Sequence, residues 1–461
     1  MKKLIGNRSF YKNVLALSIP IMVQNGITNF VNMLDSIMIG TVGTVQMTGV
    51  AVTNQLIFVL NLCIFGAISG AGIFGAQFFG KGDNKGVRDT FRFKLILCTL
   101  LTAVGIVIFM LFGKDLINLY LQGDGGTAKA AESLKYGKQY LHIMIIGFFP
   151  YTFAQCYSST LREIGKPVPP MVAGIIAVCI NLILNTILIF GHLGAPAMGV
   201  AGAAIATVIS RFAELLIIAV WTHANRIKVP FIIGAYRSLA VPRGLIKSII
   251  IKGLPLMANE TTWAAGIATV NQCYSVRGID VVAADNICQT FFNVFSVAFM
   301  SVGVAIGIIL GQMLGAGDTE GAKADSIKLR AFSVLISLVV AVLFAIFAGI
   351  IPQIYNTDDS VRRIATAFML ICAASMPIDA FAHASYFTLR SGGKTLITML
   401  FDSCFVWVVS VPAAFILSRY TGIPIIPLFA ICQALNIIKC IVGFFLVRSG
   451  IWVKNIIEPA E

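Results

Sequence analysis

Residues 77–86 read QFFGKGDNKG and residues 312–321 read QMLGAGDTEG, so the same glutamine, glycines and aspartate recur 235 positions apart. A second match, TLREIGK at 160–166 against TLRSGGK at 388–394, falls at nearly the same offset. Two matches in the same order indicate that the chain contains two related halves. Internal repeats of this size are typical of membrane transporters, whose fold is built twice from one plan.

The composition places both halves in a membrane. Of the 461 residues, 58% are hydrophobic and 12% are charged, whereas soluble domains carry about 25% charged residues. The mean hydropathy is +0.89. Such a composition excludes a soluble enzyme, a disordered protein and a nucleic-acid-binding module. The ten cysteines lie in apolar stretches without a C-x-x-C pair, which indicates neither a disulfide framework nor a metal site.

Runs of about 20 apolar residues, enough to cross the hydrocarbon core, occur twelve times. They are residues 13–40, 50–79, 92–113, 136–160, 168–190, 197–221, 246–273, 283–313, 327–350, 363–389, 396–418 and 424–447. We predict an all-α integral membrane protein with twelve transmembrane helices in two six-helix lobes, related by a pseudo-twofold axis around a central cavity. The predicted lobes are residues 1–221 and 246–461, joined by a cytoplasmic linker at 222–245.

The basic residues indicate how the chain is oriented. With the N-terminus inside, 24 of the 34 Lys and Arg residues fall in or beside inner segments, and 8 fall in or beside outer loops. Because cytoplasmic loops carry the excess of positive charge, we expect a multi-pass protein of the cell (inner or plasma) membrane with both termini cytoplasmic. The net charge of +14 then reflects topology, and no nucleic-acid partner is expected.

The stretch Ser391–Thr395, SGGKT, is similar to the end of a phosphate-binding P-loop. That motif requires a glycine at position 388, where this chain has threonine, and no other nucleotide motif is present. No nucleophile–base constellation stands out either. We therefore expect no ATP, no cofactor and no enzymatic activity, and a transport cycle coupled to an H⁺ or Na⁺ gradient.

Acidic residues inside a span are candidates for that coupling, because a charge buried in the bilayer is costly. Five lie well within the predicted spans: Asp35, Glu214, Glu260, Asp379 and Asp402. We interpret Glu214 as neutralised by Arg211, three residues earlier on the same helix face. We interpret Asp402 as a structural acid that reaches the cytoplasmic end of its helix or pairs with Lys394.

Asp35 belongs to a polar stripe on the first predicted helix, together with Asn25, Thr28 and Asn32. Such a stripe faces a cavity or other helices. Asp35 there either exchanges a proton, ligands Na⁺ or serves as a hydrogen-bonded packing acid. We include Thr28 and Asn32 among the candidate residues of a substrate cavity.

Two asparagines on the fifth predicted helix accompany this acid. Asn181 and Asn185 are four residues apart, so their amides point the same way. With Asp35 they either supply oxygens to a small cation or hold helices together.

The second half carries acids at other places. Glu260 lies in the run NETT on the seventh helix, and Ser375, Asp379, His383 and Tyr386 form a stripe on the tenth. His383 is a candidate proton shuttle or cavity residue, or a core histidine with its hydrogen bonds satisfied. The halves are therefore expected to share a scaffold and to differ in their chemistry.

Residues 32–40, NMLDSIMIG, resemble the signature of the multidrug and toxic compound extrusion (MATE) antiporters. So do the repeated QxxGxGD turns, the run NLILN at 181–185 before a Phe-Gly turn, and GAAIAT at 202–207. The resemblance covers essentially the whole chain. It implies cation-coupled export of amphipathic organic cations through a cavity between two six-helix lobes.

The resemblance also implies roles for particular residues. Asp35 would belong to a cation or proton site of the N-terminal lobe, to which Asn181, Asn185 and Thr207 contribute. Some family members have aspartate at the position of Asn185, so this chain has one formal charge fewer there. Glu260 and Asp379 match the acids that another branch of the family uses in its C-terminal lobe. The chain holds both sets, and its sequence does not choose between them.

The sequence thus predicts a secondary antiporter that exports amphipathic cations in exchange for H⁺ or Na⁺ by alternating access. We expect a monomer with membrane lipid and small cations as its partners, and no metal other than Na⁺. The alternative is a flippase for lipid-linked or polysaccharide precursors. An anionic cargo of that kind requires basic residues in the cavity, and only Arg211 and Lys439 lie well away from the ends of the predicted spans.

Overall fold

The computed structural model describes residues 5–121, 128–355 and 357–458, with the side chains of residues 32, 33, 36, 37 and 128 left aside. All regular structure in these residues is helical. The first eight helices are α1 Arg8–Val42, α2 Thr44–Gly80, α3 Asn84–Leu121, α4 Ala128–Met144, α5 Phe148–Glu163, α6 Val168–Phe190, α7 Val200–Ala224 and α8 Arg243–Ser275. The others are α9 Ile279–Gly315, α10 Thr319–Phe347, α11 Ile351–Ile354, α12 Asp359–Ser391, α13 Thr395–Met399, α14 Val411–Tyr420, α15 Ile425–Ala434 and α16 Asn436–Arg448.

Each of the twelve predicted spans coincides with helix, and in the described part of the chain ten helices are long and apolar enough to cross a membrane. The fourth span falls on α4 and α5, which a 3₁₀ turn at Ile145–Gly147 separates. The seventh falls on α8, whose 33 residues include the polar run 259–262. The eleventh runs from α13 to α14 through two π-helical segments, Leu400–Cys404 and Val406–Ser410. The prediction of an all-α, multi-pass membrane protein is confirmed.

The helices form two compact units. The N-terminal unit holds residues 23–75 and 84–249, and the C-terminal unit holds residues 1–22, 76–83 and 250–461. The start of α1 and the end of α2 are therefore part of the C-terminal unit.

Stacked aromatic rings fill the core of the C-terminal unit. Phe344, Phe368 and Phe429 are fully buried, and the rings of Phe368 and Phe429 lie parallel with centroids 4.0 Å apart. In a membrane, where lipid is as apolar as the core, such close packing contributes more to helix association than burial itself does.

The segment between α7 and α8 packs within the N-terminal unit. Arg88 and Arg92, near the start of α3, donate to its backbone: Arg88 Nε to Phe231 O at 3.1 Å, and Arg92 Nη2 to Gly234 O at 2.7 Å. The rings of Phe91 and Phe231 also meet, with centroids 5.3 Å apart. Side chains of α3 therefore hold this basic segment in place.

The two repeated turns contact each other inside the C-terminal unit. A Cβ atom added at Gly80 would lie 1.9 Å from the backbone oxygen of Gln312, and one added at Gly315 would lie 1.9 Å from that of Gln77. The contact is reciprocal, as a repeated motif requires. Only glycine lets the two backbones approach so closely.

Gln77 also holds the end of the chain. Its side chain is fully buried, and its Nε2 donates to the backbone oxygens of Ser391 at 3.0 Å and Lys454 at 3.2 Å. Its Oε1 accepts from the backbone nitrogen of Ile456 at 2.8 Å. The segment after α16 is therefore tied to the 77–83 turn.

We expect Gly315→Ala to destabilise the protein by about 1–3 kcal/mol, because its methyl group would overlap backbone atoms that have little room to shift. Gly349→Ala is the matched control, since a Cβ there meets nothing within 4 Å. Thermal unfolding in detergent, followed by intrinsic fluorescence, gives both midpoints. Equal midpoints for the two variants would contradict the reciprocal contact.

Candidate coupling sites in the two units

Asp35 is bound by an amide group in the N-terminal unit. It lies on α1, and the Nδ2 of Asn185 on α6 donates to its Oδ1 at 2.6 Å. Asn185 is 1% exposed, so this bond is shielded from solvent. A short hydrogen bond to a carboxylate is stronger than a bond between neutral groups. The expected proximity of Asp35 and Asn185 is present in the structure.

Asn181 and Thr207 extend this arrangement. Asn181 lies one turn before Asn185, and its amide satisfies its neighbours best when the nitrogen faces Asp35. In that orientation the nitrogen is 3.2 Å and 3.1 Å from the two carboxylate oxygens, and the amide oxygen accepts from Thr207 Oγ1 at 3.3 Å. The structure therefore brings together four residues that the resemblance assigned to one site.

The amide oxygen of Asn185 is buried and has no hydrogen-bond partner among the described residues. An ionised Asp35 only accepts hydrogen bonds, so it offers that oxygen no proton. A protonated Asp35 would carry an O–H donor, and the amide of Asn185 would present its oxygen after a half-turn about the Cβ–Cγ bond. The same two residues thus suit both protonation states of the acid.

The structure shows no link between Asp35 and the other predicted cavity residues of α1, Thr28 and Asn32, in the part of the chain that it describes. Thr28 is exposed, and its hydroxyl donates to the backbone oxygen of Gln24 at 2.8 Å, a bond within its own helix. The side chain of Asn32 lies outside the described part of the structure. The assignment of both residues to a substrate cavity stays a prediction.

In the C-terminal unit, Asp402 forms an ion pair with Lys439 on α16. Asp402 lies about two turns into its span, as expected, but its partner is Lys439 and not Lys394. Asn259 on α8 donates its Nδ2 to the other carboxylate oxygen of Asp402 at 3.1 Å. Asp402 is thus part of a polar cluster and is neutralised by a lysine 37 residues away in sequence.

The two acids predicted for this unit lie in the same cluster. Asp379 on α12 accepts from Asn436 Nδ2 at 3.0 Å and from Ser375 Oγ at 3.4 Å. Glu260 on α8 accepts from the hydroxyl of Tyr386 at 3.2 Å. Asn259 Nδ2 lies 3.4 Å from that same hydroxyl, which joins Glu260 to the Asp402 pair.

Asn259 is the central residue of the cluster, and sequence reasoning missed it. It is 1% exposed, and its Oδ1 accepts from Ser403 Oγ at 2.7 Å. Ser403 and Asp402 lie in the π-helical segment Leu400–Cys404, which widens the helix where both side chains meet α8. Such segments are common at functional sites. The available signal was the position of Asn259 beside Glu260.

The structure also shows the surroundings of His383 and Arg211, for which the sequence predicted specific roles. His383 lies among aromatic rings, with centroids 4.9 Å from Phe387 and 6.4 Å from Tyr386, which favours its interpretation as a core histidine. Arg211 lies over the ring of Tyr151, 4.5 Å from the centroid. The ion pairs within 4.0 Å in the described ranges do not include Arg211 with Glu214.

The two sites differ in charge. Among the described residues, Asp35 accepts from amide groups, which stabilise a carboxylate without cancelling its charge. The C-terminal cluster contains three acids, and the ammonium of Lys439 bonds directly to one of them.

Comparisons with known proteins agree along the whole chain. A family model described as MatE matches residues 20–187 and 256–416. The probable multidrug resistance protein NorM of Thermotoga maritima is 24% identical over 98% of this chain and 95% of its own. The multidrug resistance protein NorM of Aliivibrio fischeri is 27% identical over 88% of this chain and 86% of its own.

Solved structures share the fold. An outward-facing multidrug resistance MATE family transporter of the MOP superfamily superposes with a TM-score of 0.85, at 20% identity over 97% of both chains. A MOP superfamily transporter from Pyrococcus furiosus, described as having a binding pocket of reverse polarity that suggests a different function, matches with a TM-score of 0.83 at 19% identity over 97% of both chains. The likeness therefore establishes the fold, whereas the cargo must be argued from this chain's own residues.

We expect Asn259→Ala to lower the free energy of unfolding by about 1–3 kcal/mol, because it leaves buried groups of Ser403 and Asp402 without their partner. Thr261→Ala is the control on the same helix, since Thr261 is exposed and bonds only to its own helix backbone. Thermal midpoints in detergent measure both effects. A midpoint for Asn259→Ala as high as that of the control would show that the cluster does not stabilise the fold.

Proposed function

The chain belongs to the MATE family, and on that premise we propose that it exports amphipathic organic cations in exchange for protons taken up at Asp35. It is an efflux transporter of the family and not an enzyme. The observation that carries the proposal is the bond from Asn185 to Asp35, a single carboxylate held by neutral donors. The multidrug names of the relatives support amphipathic cations as cargo.

A proton suits this site better than Na⁺. A hard cation requires several oxygen ligands, whereas Asn185 turns an N–H group toward Asp35, and Asn181 does the same in the amide orientation that satisfies its neighbours best. The unpartnered amide oxygen of Asn185 supplies the acceptor that a protonated carboxyl group needs.

In this proposal, the proton and the cationic cargo bind alternately to the carboxylate of Asp35. The ionised carboxylate attracts a cationic cargo, and protonation removes that attraction. Because the two ligands stabilise different states of the transporter, the flow of one drives the movement of the other. Alternating access of the two halves carries each ligand across the membrane.

We further infer that both termini face the cytoplasm and that the chain works as a monomer in the cell membrane. The threefold excess of basic residues near the inner segments supports the orientation. The tie between Gln77 and Ile456 is consistent with it, because it requires the end of the chain to lie on the side of the 77–83 turn.

We expect a pH gradient alone to drive efflux of a fluorescent organic cation from proteoliposomes, and a Na⁺ gradient alone to have no effect. The reason is that the Asn185 amide donates to Asp35 and so presents an N–H group, not an oxygen ligand, to an ion at that carboxylate. Each gradient is imposed separately, with choline replacing Na⁺. Transport that requires Na⁺ would overturn the proton assignment, and silence under both gradients would favour a flippase.

We expect Asp35→Asn to reduce gradient-driven efflux about tenfold or more, because the variant neither takes up a proton nor attracts the cargo. Expression and thermal midpoint should stay near those of the wild type, since the amide preserves shape. Asp115→Asn, at an exposed aspartate of α3, is the matched control. Loss of folded Asp35→Asn protein in parallel with loss of transport would indicate a packing acid instead.

A further inference from the structure

One turn of α16 reaches two acids of the C-terminal cluster. Asn436 and Lys439 are three residues apart, so they lie on the same helix face. Asn436 donates to Asp379 on α12, and Lys439 bonds to Asp402 in the π-helical segment. The Sγ of Cys440 donates to the backbone oxygen of Ile378 at 3.1 Å, which fixes this face against α12. The ammonium is therefore held in place by the packing of its own helix.

From this geometry we propose that Lys439 acts as a tethered cation, which fills the cation position of the C-terminal cluster and excludes Na⁺ from it. The proposal goes beyond the transport function, because it concerns which ion the protein binds. It also bears on a choice that the sequence left open, because it removes Glu260 and Asp379 as holders of an exchangeable cation.

The carboxylates of the cluster are already engaged. One oxygen of Asp379 accepts from Asn436, and its other oxygen lies 3.4 Å from the Ser375 hydroxyl, which also donates to the backbone oxygen of Cys372 at 3.0 Å. Both oxygens of Asp402 have donors, one of them the ammonium. One oxygen of Glu260 accepts from Tyr386. A further cation would have to displace these donors and approach a fixed positive charge. The residues present do not fit Na⁺ as long as Lys439 is charged.

Burial of both side chains favours the ion pair between Lys439 and Asp402 over its separated state. The side chains of Lys439 and Asp402 are 14% and 17% exposed, so neither partner is well solvated once separated. Removing one partner of a buried pair leaves an uncompensated charge, which is strongly unfavourable. A variant without the ammonium should therefore recruit a cation from solution, and Na⁺ is small enough to take its place.

The test measures ion binding by purified full-length protein in detergent, without transport. Binding of ²²Na⁺ and the thermal midpoint are followed against NaCl, with choline chloride holding the ionic strength constant. The wild type should show no saturable Na⁺ effect. Lys439→Met, of similar length but uncharged, should gain saturable Na⁺ binding with an apparent Kd at least about tenfold below the highest Na⁺ concentration at which the wild type shows none.

Two control variants separate charge from shape. Lys439→Arg keeps the positive charge and should remain insensitive to Na⁺. Lys439→Met combined with Asp402→Asn removes both charges and should lose the gained Na⁺ binding. If Lys439→Met is recovered folded only in Na⁺ buffer, that dependence is itself the expected replacement of one cation by another.

Three results would overturn the proposal. The first is saturable Na⁺ binding by the wild type that Asp379→Asn abolishes, because an ion would then fit beside Lys439. The second is a folded Lys439→Met that gains no Na⁺ binding. The third is a Lys439→Met that fails to fold in Na⁺ as well as in choline. None of these bears on Asp35, so a failure here is distinguishable from a failure of proton coupling.

Discussion

A carboxylate inside a bilayer must find its partners in the protein, because hydrocarbon supplies neither water nor counter-ions. The two units meet this requirement differently. In the N-terminal unit, the amide of Asn185 donates to Asp35 and leaves its charge in place. In the C-terminal unit, Lys439 neutralises Asp402 directly, and Asn259 joins that pair to the neighbouring acid Glu260 through Tyr386. The helix packing around each acid serves to keep these partners within bonding distance.

The internal repeat constrains the backbone of the two halves but not the polar side chains that each half carries. Gly80 and Gly315 are needed in both halves because each lies against the backbone of the other turn, a contact that involves no side chain of its own. Such a constraint does not extend to the acids, which occupy different places in each half. A duplicated scaffold of this kind keeps its fold while one half holds a carboxylate between neutral donors and the other pairs a carboxylate with a lysine.

Local sequence patterns were enough to predict the membrane spans and the grouping of Asn181 and Asn185 on one helix face. Apolar runs mark the helices, and Asn185 falls one turn from Asn181, so their shared face was visible in the sequence. The Asp402 pair was not, because its partner lies on another helix and the π-helical segment rotates Asp402 away from the face that ideal helical spacing predicts. The tie between Gln77 and Ile456 was equally invisible, since it joins residues 379 positions apart.

Coupling requires a ligand whose occupancy changes during the cycle, since only differential binding shifts a conformational equilibrium. A tethered ammonium does not leave, so its site carries nearly the same charge in every state. On this account the C-terminal cluster contributes a constant background, and the gradient acts where occupancy is free to change. That place is Asp35, whose neutral partners Asn181 and Asn185 hold the carboxylate without competing for the proton. If Lys439 occupies the cation position of the C-terminal unit, the transporter has one exchangeable ion site, at Asp35. One such site is sufficient to couple ion and cargo, because both bind to the same charge.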